Sequence, residues 1–220
     1  KFFGTAQDHK RVGENDTGLN TGGMGAYSPS AIINNKLEHK IIEKIIKPTL
    51  KALKEKKHPY RGFLYVGLMI VKNEPYLIEY NVRMGDPECQ TIMARLNTDF
   101  LTIVKSIIND NLKKIKINWK KEKSMCIVLC SKGYPGKHLK NIEIKNINNL
   151  NLKKNEFLFH AGTYLKNNKT YSIGGRVLNI ISISKKLYSA RKNIFKIINR
   201  LKWKSGFYRK DIGWRAINII

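Results

Sequence analysis

Between residues 36 and 57 the apolar positions Leu37, Ile41, Ile45, Ile46, Leu50 and Leu53 recur three and four apart, the spacing of one helix face. Pro48 interrupts this stretch and has no amide proton, so a kink is expected there. Gly62 to Val71 and Tyr76 to Val82 are rich in branched and aromatic residues and flank Asn73-Glu74-Pro75, which predicts two strands joined as a hairpin. Asp86 to Leu96 and Thr98 to Leu112 return to helical spacing. Beyond a Lys-rich stretch at 113–123, the apolar run Met125 to Cys130 is too short to cross a bilayer and reads as a buried strand. Further strands are expected at 157–164 and 170–183. A helix is expected at 186–201, with Leu187, Ala190, Ile194, Ile197 and Leu201 on one face. Residues 1–35, dense in Gly, Asn, Asp and Thr and broken at Ser28-Pro29, read as loop. Strands and helices mix without regular alternation, which predicts an α+β class. The Lys-rich stretch divides the chain into domains 1–122 and 123–220.

Charge changes this picture less than its size suggests. Forty-two Lys and Arg against sixteen Asp and Glu give a formal charge of +26. Taken alone, that points to a polyanionic partner. The lysines, however, fall in short groups along the whole chain, mixed with Asn and Ile, and no basic stripe interleaved with aromatics is visible. A solvated surface is therefore the favoured reading, with no specific nucleic acid and no membrane among the partners. A basic RNA-binding module is a distant alternative. Cys126 and Cys130 are four apart on one expected strand, roughly 13 Å at the strand rise, too far for a disulfide. Cys89 is isolated in sequence, so reduced, buried thiols and a cytoplasmic setting are expected. The chain opens Lys1-Phe2-Phe3-Gly4, which reads as a piece of something longer.

Candidate chemistry is concentrated in Tyr76-Leu77-Ile78-Glu79-Tyr80-Asn81-Val82-Arg83. Strand alternation sends Ile78, Tyr80 and Val82 to one face, expected to pack in a core. Glu79, Asn81 and Arg83 go to the other, about 7 Å between neighbours. A carboxylate and an amide oxygen suit a hard cation such as Mg²⁺ that keeps coordination sites for substrate phosphates. Arg83 suits a carboxylate or a transferring phosphoryl group. An ordinary polar strand face with a salt bridge fits these residues equally well. In Gly85-Asp86-Pro87-Glu88, Asp86 is placed as a helix N-cap and Pro87 as the first helical residue, which by itself accounts for the motif. Asp8-His9-Lys10-Arg11 leads into Asn20-Thr21-Gly22-Gly23-Met24-Gly25, whose glycines free backbone N–H groups for an anion, although composition alone favours a surface loop. Arg176, after Gly174-Gly175, sits between small residues where a phosphate meets no steric screen. His39 and His58 are expected to be solvated, and no histidine-rich metal set or nucleophilic triad is present.

Six segments taken together resemble the phosphoribosylamine–glycine ligases, ATP-grasp enzymes of purine biosynthesis. They are 6–30, 62–90, SKGYPGK (131–137), FHAGT (159–163), GGRVL (174–178) and YRKDIGWRA (208–216), in the family's order. The resemblance implies the carboxyl-side part of an ATP-grasp domain followed by a small C-terminal domain, without the amino-terminal domain and most of the nucleotide pocket. The reaction it implies joins glycine to 5-phosphoribosylamine through glycyl phosphate, with ATP as co-substrate and Mg²⁺ or Mn²⁺ as the metal. A monomer is implied when complete, and inactivity for the piece alone. By residue, it implies Glu79 and Asn81 as metal ligands and Arg83 and Asp86 as catalytic groups. Asp8, Lys10, Arg11, Thr21, Gly22, Gly23 and Arg176 are implied as substrate contacts, Arg176 for the ribose 5-phosphate. Val66-Gly67-Leu68 lacks the second metal carboxylate of many ATP-grasp enzymes, and Asn15 and Leu19 depart from the family's usual residues. Another ATP-grasp carboxylate–amine ligase or a carboxylase is the alternative.

Overall fold

The computed structural model describes residues 1–201 and 203–217. They form two compact units, each assembled from more than one stretch of chain. One comprises Lys1–Phe3, Ser30–Gly85 and Asn97–Asn118. The other comprises Gly4–Pro29, Asp86–Leu96 and the described residues from Trp119 onward.

In the first unit, the expected long helix runs as Asn35–Ile41, Ile42–Ile46 and Lys47–Glu55. The middle turn is π-helical, and Pro48 falls in the first turn after it, where the wider i→i+5 pattern absorbs its missing donor. Asn34 caps the start by accepting the Leu37 N–H at 2.9 Å. The hairpin pairs Tyr65–Val71 with Glu74–Asn81 around a Lys72-Asn73 turn, both turn residues having positive φ. The helix and hairpin are joined by a Lys40–Glu74 ion pair and by a hydrogen bond between the Thr49 and Tyr80 hydroxyls. A second helix, Phe100–Ile108, is shorter than expected and is capped by Asp99. Phe63 stacks against Phe100 at 5.7 Å and meets Phe3 edge-on at 5.0 Å.

The hairpin corrects one expectation. Tyr80 is half-buried, but Ile78 is 65% and Val82 76% exposed, so these three do not form a core face. A bulge opposite Gly67-Leu68 breaks the alternation, and a two-stranded sheet offers little to pack on its outer side.

The second unit is built on an antiparallel sheet ordered Gln7–Asp8, Gly25–Ser28, Lys123–Ser131, Arg176–Ser184, Glu156–His160, with Gly206–Phe207 also pairing to Lys123–Ser131. Its centre is dry: Met125 to Cys130 and Val177, Leu178, Ile180 and Ile181 are buried. The helix Leu187–Leu201 covers it with Leu187, Ala190, Ile194, Ile197 and Leu201, the face expected from spacing. At roughly 25 cal/mol per Å² of apolar surface, each leucine or isoleucine among them contributes about 2 kcal/mol. Thr163–Lys166, Lys169–Ser172 and Ile142–Glu143 form a smaller sheet. The expected single strands at 157–164 and 170–183 are therefore each two strands.

Residues 1–35 are the larger correction. They hold four short strands, Gln7–Asp8, Arg11–Gly13, Thr17–Asn20 and Gly25–Ser28, the last fully buried inside the main sheet. Gly25 has φ +157°, and a Cβ there would lie 2.6 Å from the Cys126 carbonyl oxygen, so only glycine lets this strand lie so close. Cys126 and Cys130 are free, buried thiols, as expected. Burial pushes Cys126 well above the usual thiol range and Cys130 to about 12, which keeps both protonated.

Candidate active site

In the first unit, Glu79 and Asn81 project from the same side of the hairpin's second strand, and the Asn81 amide nitrogen donates to Glu79 Oε1 at 3.2 Å. Glu79 makes no ion pair among the described residues, in a chain where most partners on offer are cationic. A carboxylate beside an amide, with one negative charge between them, supplies the kind of oxygen ligands that suit a hard divalent cation and leaves it positions for water and phosphate. Among the described residues no group of three His, Cys, Asp or Glu forms a complete cage. Arg83 does not continue the row. The strand ends at Asn81, and Arg83 lies in the following bend, exposed, donating to the Met84 carbonyl at 2.9 Å.

In the second unit, the structure brings the expected loop residues to Arg176. Its Nη1 donates to the Gly22 and Asp86 carbonyls at 2.8 and 2.7 Å, and its Nη2 pairs with Asp86 Oδ2 at 3.2 Å. Asp86 is not the helix cap. The helix is Glu88–Arg95, preceded by Pro87 and without a side-chain cap. The free side chain of Asp86 instead reaches Arg176 and accepts from Gln90 at 2.9 Å. Thr21 donates both its N–H and its hydroxyl to the Lys10 carbonyl at 2.8 Å, and its hydroxyl accepts the Gly23 N–H at 3.0 Å. The Gly22 N–H donates to the Tyr134 hydroxyl at 2.9 Å. A side chain at Gly22 would meet the Arg176 guanidinium carbon at 2.9 Å. One at Gly23 (φ +120°) would meet Pro87 Cδ at 2.5 Å and Asp8 Oδ1 at 2.8 Å. Arg11 turns away, donating to the Gly18 carbonyl.

Beneath this loop lies a carboxylate that the fold keeps out of water. Asp8 Oδ2 is 2.6 Å from Lys10 Nζ, and its Oδ1 accepts the His9 N–H at 2.7 Å. Burial and the nearby Glu88 charge together outweigh Lys10 and lift the Asp8 carboxyl to about 6. His9 is held in the opposite sense. Its Nε2 accepts the Gly213 N–H at 3.0 Å, its Nδ1 lies 3.2 Å from the Gly25 carbonyl, and burial beside Arg209 lowers it to about 4.

Sequence reasoning gave no site role to Tyr134, His9, Glu88 or the ion cluster around Arg209, although each lies in a segment that carries the family resemblance. Arg209 is 1% exposed and satisfies its guanidinium with Asp211 (2.8 and 2.7 Å), Asp16 (2.9 Å) and the Arg11 carbonyl (3.0 Å). Burying such an ion costs several kcal/mol, and a complete set of partners is what makes it tolerable.

The fold is that of the ATP-grasp enzymes. The fold is similar to the biotin carboxylase domain of a Hydrogenobacter thermophilus 2-oxoglutarate carboxylase solved with MgADP and bicarbonate (TM-score 0.61, 13% identity, 93% of this chain and 43% of that one). Within that class the match narrows. The phosphoribosylglycinamide synthetase ATP-grasp (A) domain matches residues 1–89 and the C domain of the same family matches residues 124–215. The chain is 42% identical over 215 residues to the phosphoribosylamine–glycine ligase of Brucella melitensis, covering 98% of this chain and 50% of that protein. It is 42% identical over 217 residues to the chloroplastic ligase of Arabidopsis thaliana, covering 97% and 41%. A solved phosphoribosylamine–glycine ligase from Thermotoga maritima superposes with TM-score 0.78 at 32% identity, covering 94% and 50%. The chain belongs to the phosphoribosylamine–glycine ligase family, and it spans about half the length of the curated relatives it matches. Among the described residues, no helix is long and apolar enough to cross a membrane.

Proposed function

We propose that the protein containing this chain ligates glycine to 5-phosphoribosylamine at the expense of ATP, giving glycinamide ribonucleotide, ADP and phosphate. In this reading residues 1–122 are the carboxyl-side part of an ATP-grasp domain and 123–220 the family's C domain, working in the cytoplasm as a monomer. A glycine carboxylate oxygen attacks the γ-phosphorus of ATP and expels ADP. The amine nitrogen of 5-phosphoribosylamine then attacks the acyl carbon of glycyl phosphate and expels phosphate. Such transfers are accelerated mainly by positioning and charge neutralisation.

Glu79 and Asn81 would hold Mg²⁺ or Mn²⁺, which neutralises polyphosphate charge when bound. Arg83 meets the acyl phosphate oxygens. Arg176 takes the ribose 5-phosphate, which replaces the Asp86 carboxylate on the guanidinium and leaves Asp86 to orient it. Asp8, Lys10 and Thr21–Gly23 line the substrate loop, while Arg11, whose side chain is turned to the Gly18 carbonyl, contributes through its backbone. Asp8, ionised above about pH 6, is suited to hold the ammonium form of the amine and accept its proton.

The observation that carries this reading is the Glu79–Asn81 pair, two oxygen-bearing side chains in mutual contact with no cationic side chain on the carboxylate among the described residues. In the ligase that contains this chain, Asn81→Ala is expected to lower glycine-dependent phosphate release by orders of magnitude while the circular dichroism spectrum is unchanged. Unchanged Mg²⁺-dependent turnover rejects the metal assignment. Phosphate release driven by bicarbonate or formate in place of glycine moves the protein to another ATP-grasp reaction.

A further inference from the structure

The loop that carries Thr21–Gly23 is held from below by the far end of the chain. Arg209 is buried, yet it spends its donors on a backbone carbonyl and two carboxylates rather than on packing. One donor reaches the Arg11 carbonyl and the Asp16 carboxylate, at the two ends of the Arg11–Gly13 and Thr17–Asn20 hairpin. Asp211 holds the other edge of the guanidinium and also accepts the Asn15 N–H at 2.8 Å. Asp16 is gripped a second time, by Arg215 at 2.8 Å. From this clamp the connections run upward. Lys10, next to the clamped Arg11, takes both donors of Thr21, and Gly22 receives Arg176.

A buried ion set of this kind adds little stability over an apolar filling, but it fixes direction, because every bond has a required angle and length. Its members also come from segments almost two hundred residues apart, so what it specifies is the placement of the hairpin relative to the sheet rather than local structure.

We infer that Arg209, through Arg11 and Asp16, is a positioning residue that sets the register of Thr21–Gly23 against Arg176. Its functional meaning rests on the proposal that this loop and Arg176 bind the sugar phosphate. Its structural content does not.

The test is backbone amide exchange of the full chain, measured for Arg209→Lys and for Asp16→Asn. The second variant keeps a neutral acceptor in place and serves should the first fail to fold. Exchange at Thr21–Gly23 is expected to speed up at least tenfold in either variant, while amides of the helix Leu187–Leu201 stay at the wild-type rate. A uniform rise across that helix as well assigns Arg209 to global stability and overturns the inference. So does unchanged exchange at Thr21–Gly23. Ribose 5-phosphate titrated calorimetrically into the same samples is expected to bind about tenfold more weakly to the variants. If the unaltered chain binds none, the sugar-phosphate reading fails while the exchange data still decide the positioning role.

Discussion

Asp8→Asn isolates the cost of keeping a charge under the substrate loop. The carboxyl titrates near 6 in the folded chain against 3.8 in an unfolded one, because burial and Glu88 disfavour its ionised form. An acid whose folded value is raised stabilises the fold below its unfolded value, and that contribution is lost as pH rises through the folded value. The displacement of about two units, at about 1.4 kcal/mol each, corresponds to roughly 3 kcal/mol lost between about pH 4 and pH 6. Asparagine keeps the acceptor for the His9 N–H and removes the charge. It gives up the Lys10 pair, whose contribution is already contained in the net displacement. The variant is therefore expected to be more stable by about 2–3 kcal/mol near pH 7.5 and equal to the parent near pH 3.5. For a chain of this size, that is a melting-temperature rise of roughly 4–12 °C at the higher pH.

Urea unfolding at a series of pH values measures it. His9 pulls the other way across nearly the same interval, so the parent is expected to show a muted pH dependence there, and the variant a stability that climbs with pH. Parallel profiles for parent and variant, or a variant destabilised near pH 7.5, would refute the assignment of a buried, strained carboxylate. If Asp8 serves the reaction as proposed, the stabilised variant also loses turnover, the exchange of stability for function common at active sites.

Two further outcomes follow from neighbouring residues. His9, lowered to about 4, supports the fold above its unfolded value near 6.5 and withdraws roughly 3 kcal/mol as pH falls through 4. Its ring proton should titrate near 4 by NMR, and a midpoint near 6.5 contradicts the Gly213 and Gly25 contacts. Arg176→Ala removes a partly exposed ion pair together with hydrogen bonds to two backbone carbonyls, so stability should fall by about 1–3 kcal/mol. Ribose 5-phosphate binding should weaken about 10- to 100-fold, the worth of a charged hydrogen-bonding group. Equal weakening toward glycine removes the phosphate role.

Legibility of the sequence followed the range of the interactions. The helix Leu187–Leu201 was readable because its buried face repeats within the helix itself. The hairpin was readable as a hairpin, but not the burial of its faces, since the bulge opposite Gly67-Leu68 and the lack of a third strand override simple alternation. Gly25–Ser28 escaped notice because all four residues are buried, which erases the alternation that marks a half-exposed strand. At the site, Glu79, Asn81, Thr21–Gly23 and Arg176 were legible as residue types suited to oxygen ligation and phosphate contact. The joining of Arg176 to Gly22 and Asp86 was not, because it spans 154 and 90 positions. Arg209 was less accessible still: its partners Asp16 and Arg11 lie 193 and 198 positions upstream.

Gly25–Ser28 pairs with Ser124–Ile127, and this has a temporal consequence. On the ribosome, this segment emerges with only the two-residue strand Gln7–Asp8 beside it, and its long neighbour is made about a hundred residues later. At about 5–20 residues per second this is a wait of roughly 5–20 s. During it, Met24 and Tyr27, destined for the driest part of the molecule, stay wet and open to chaperones.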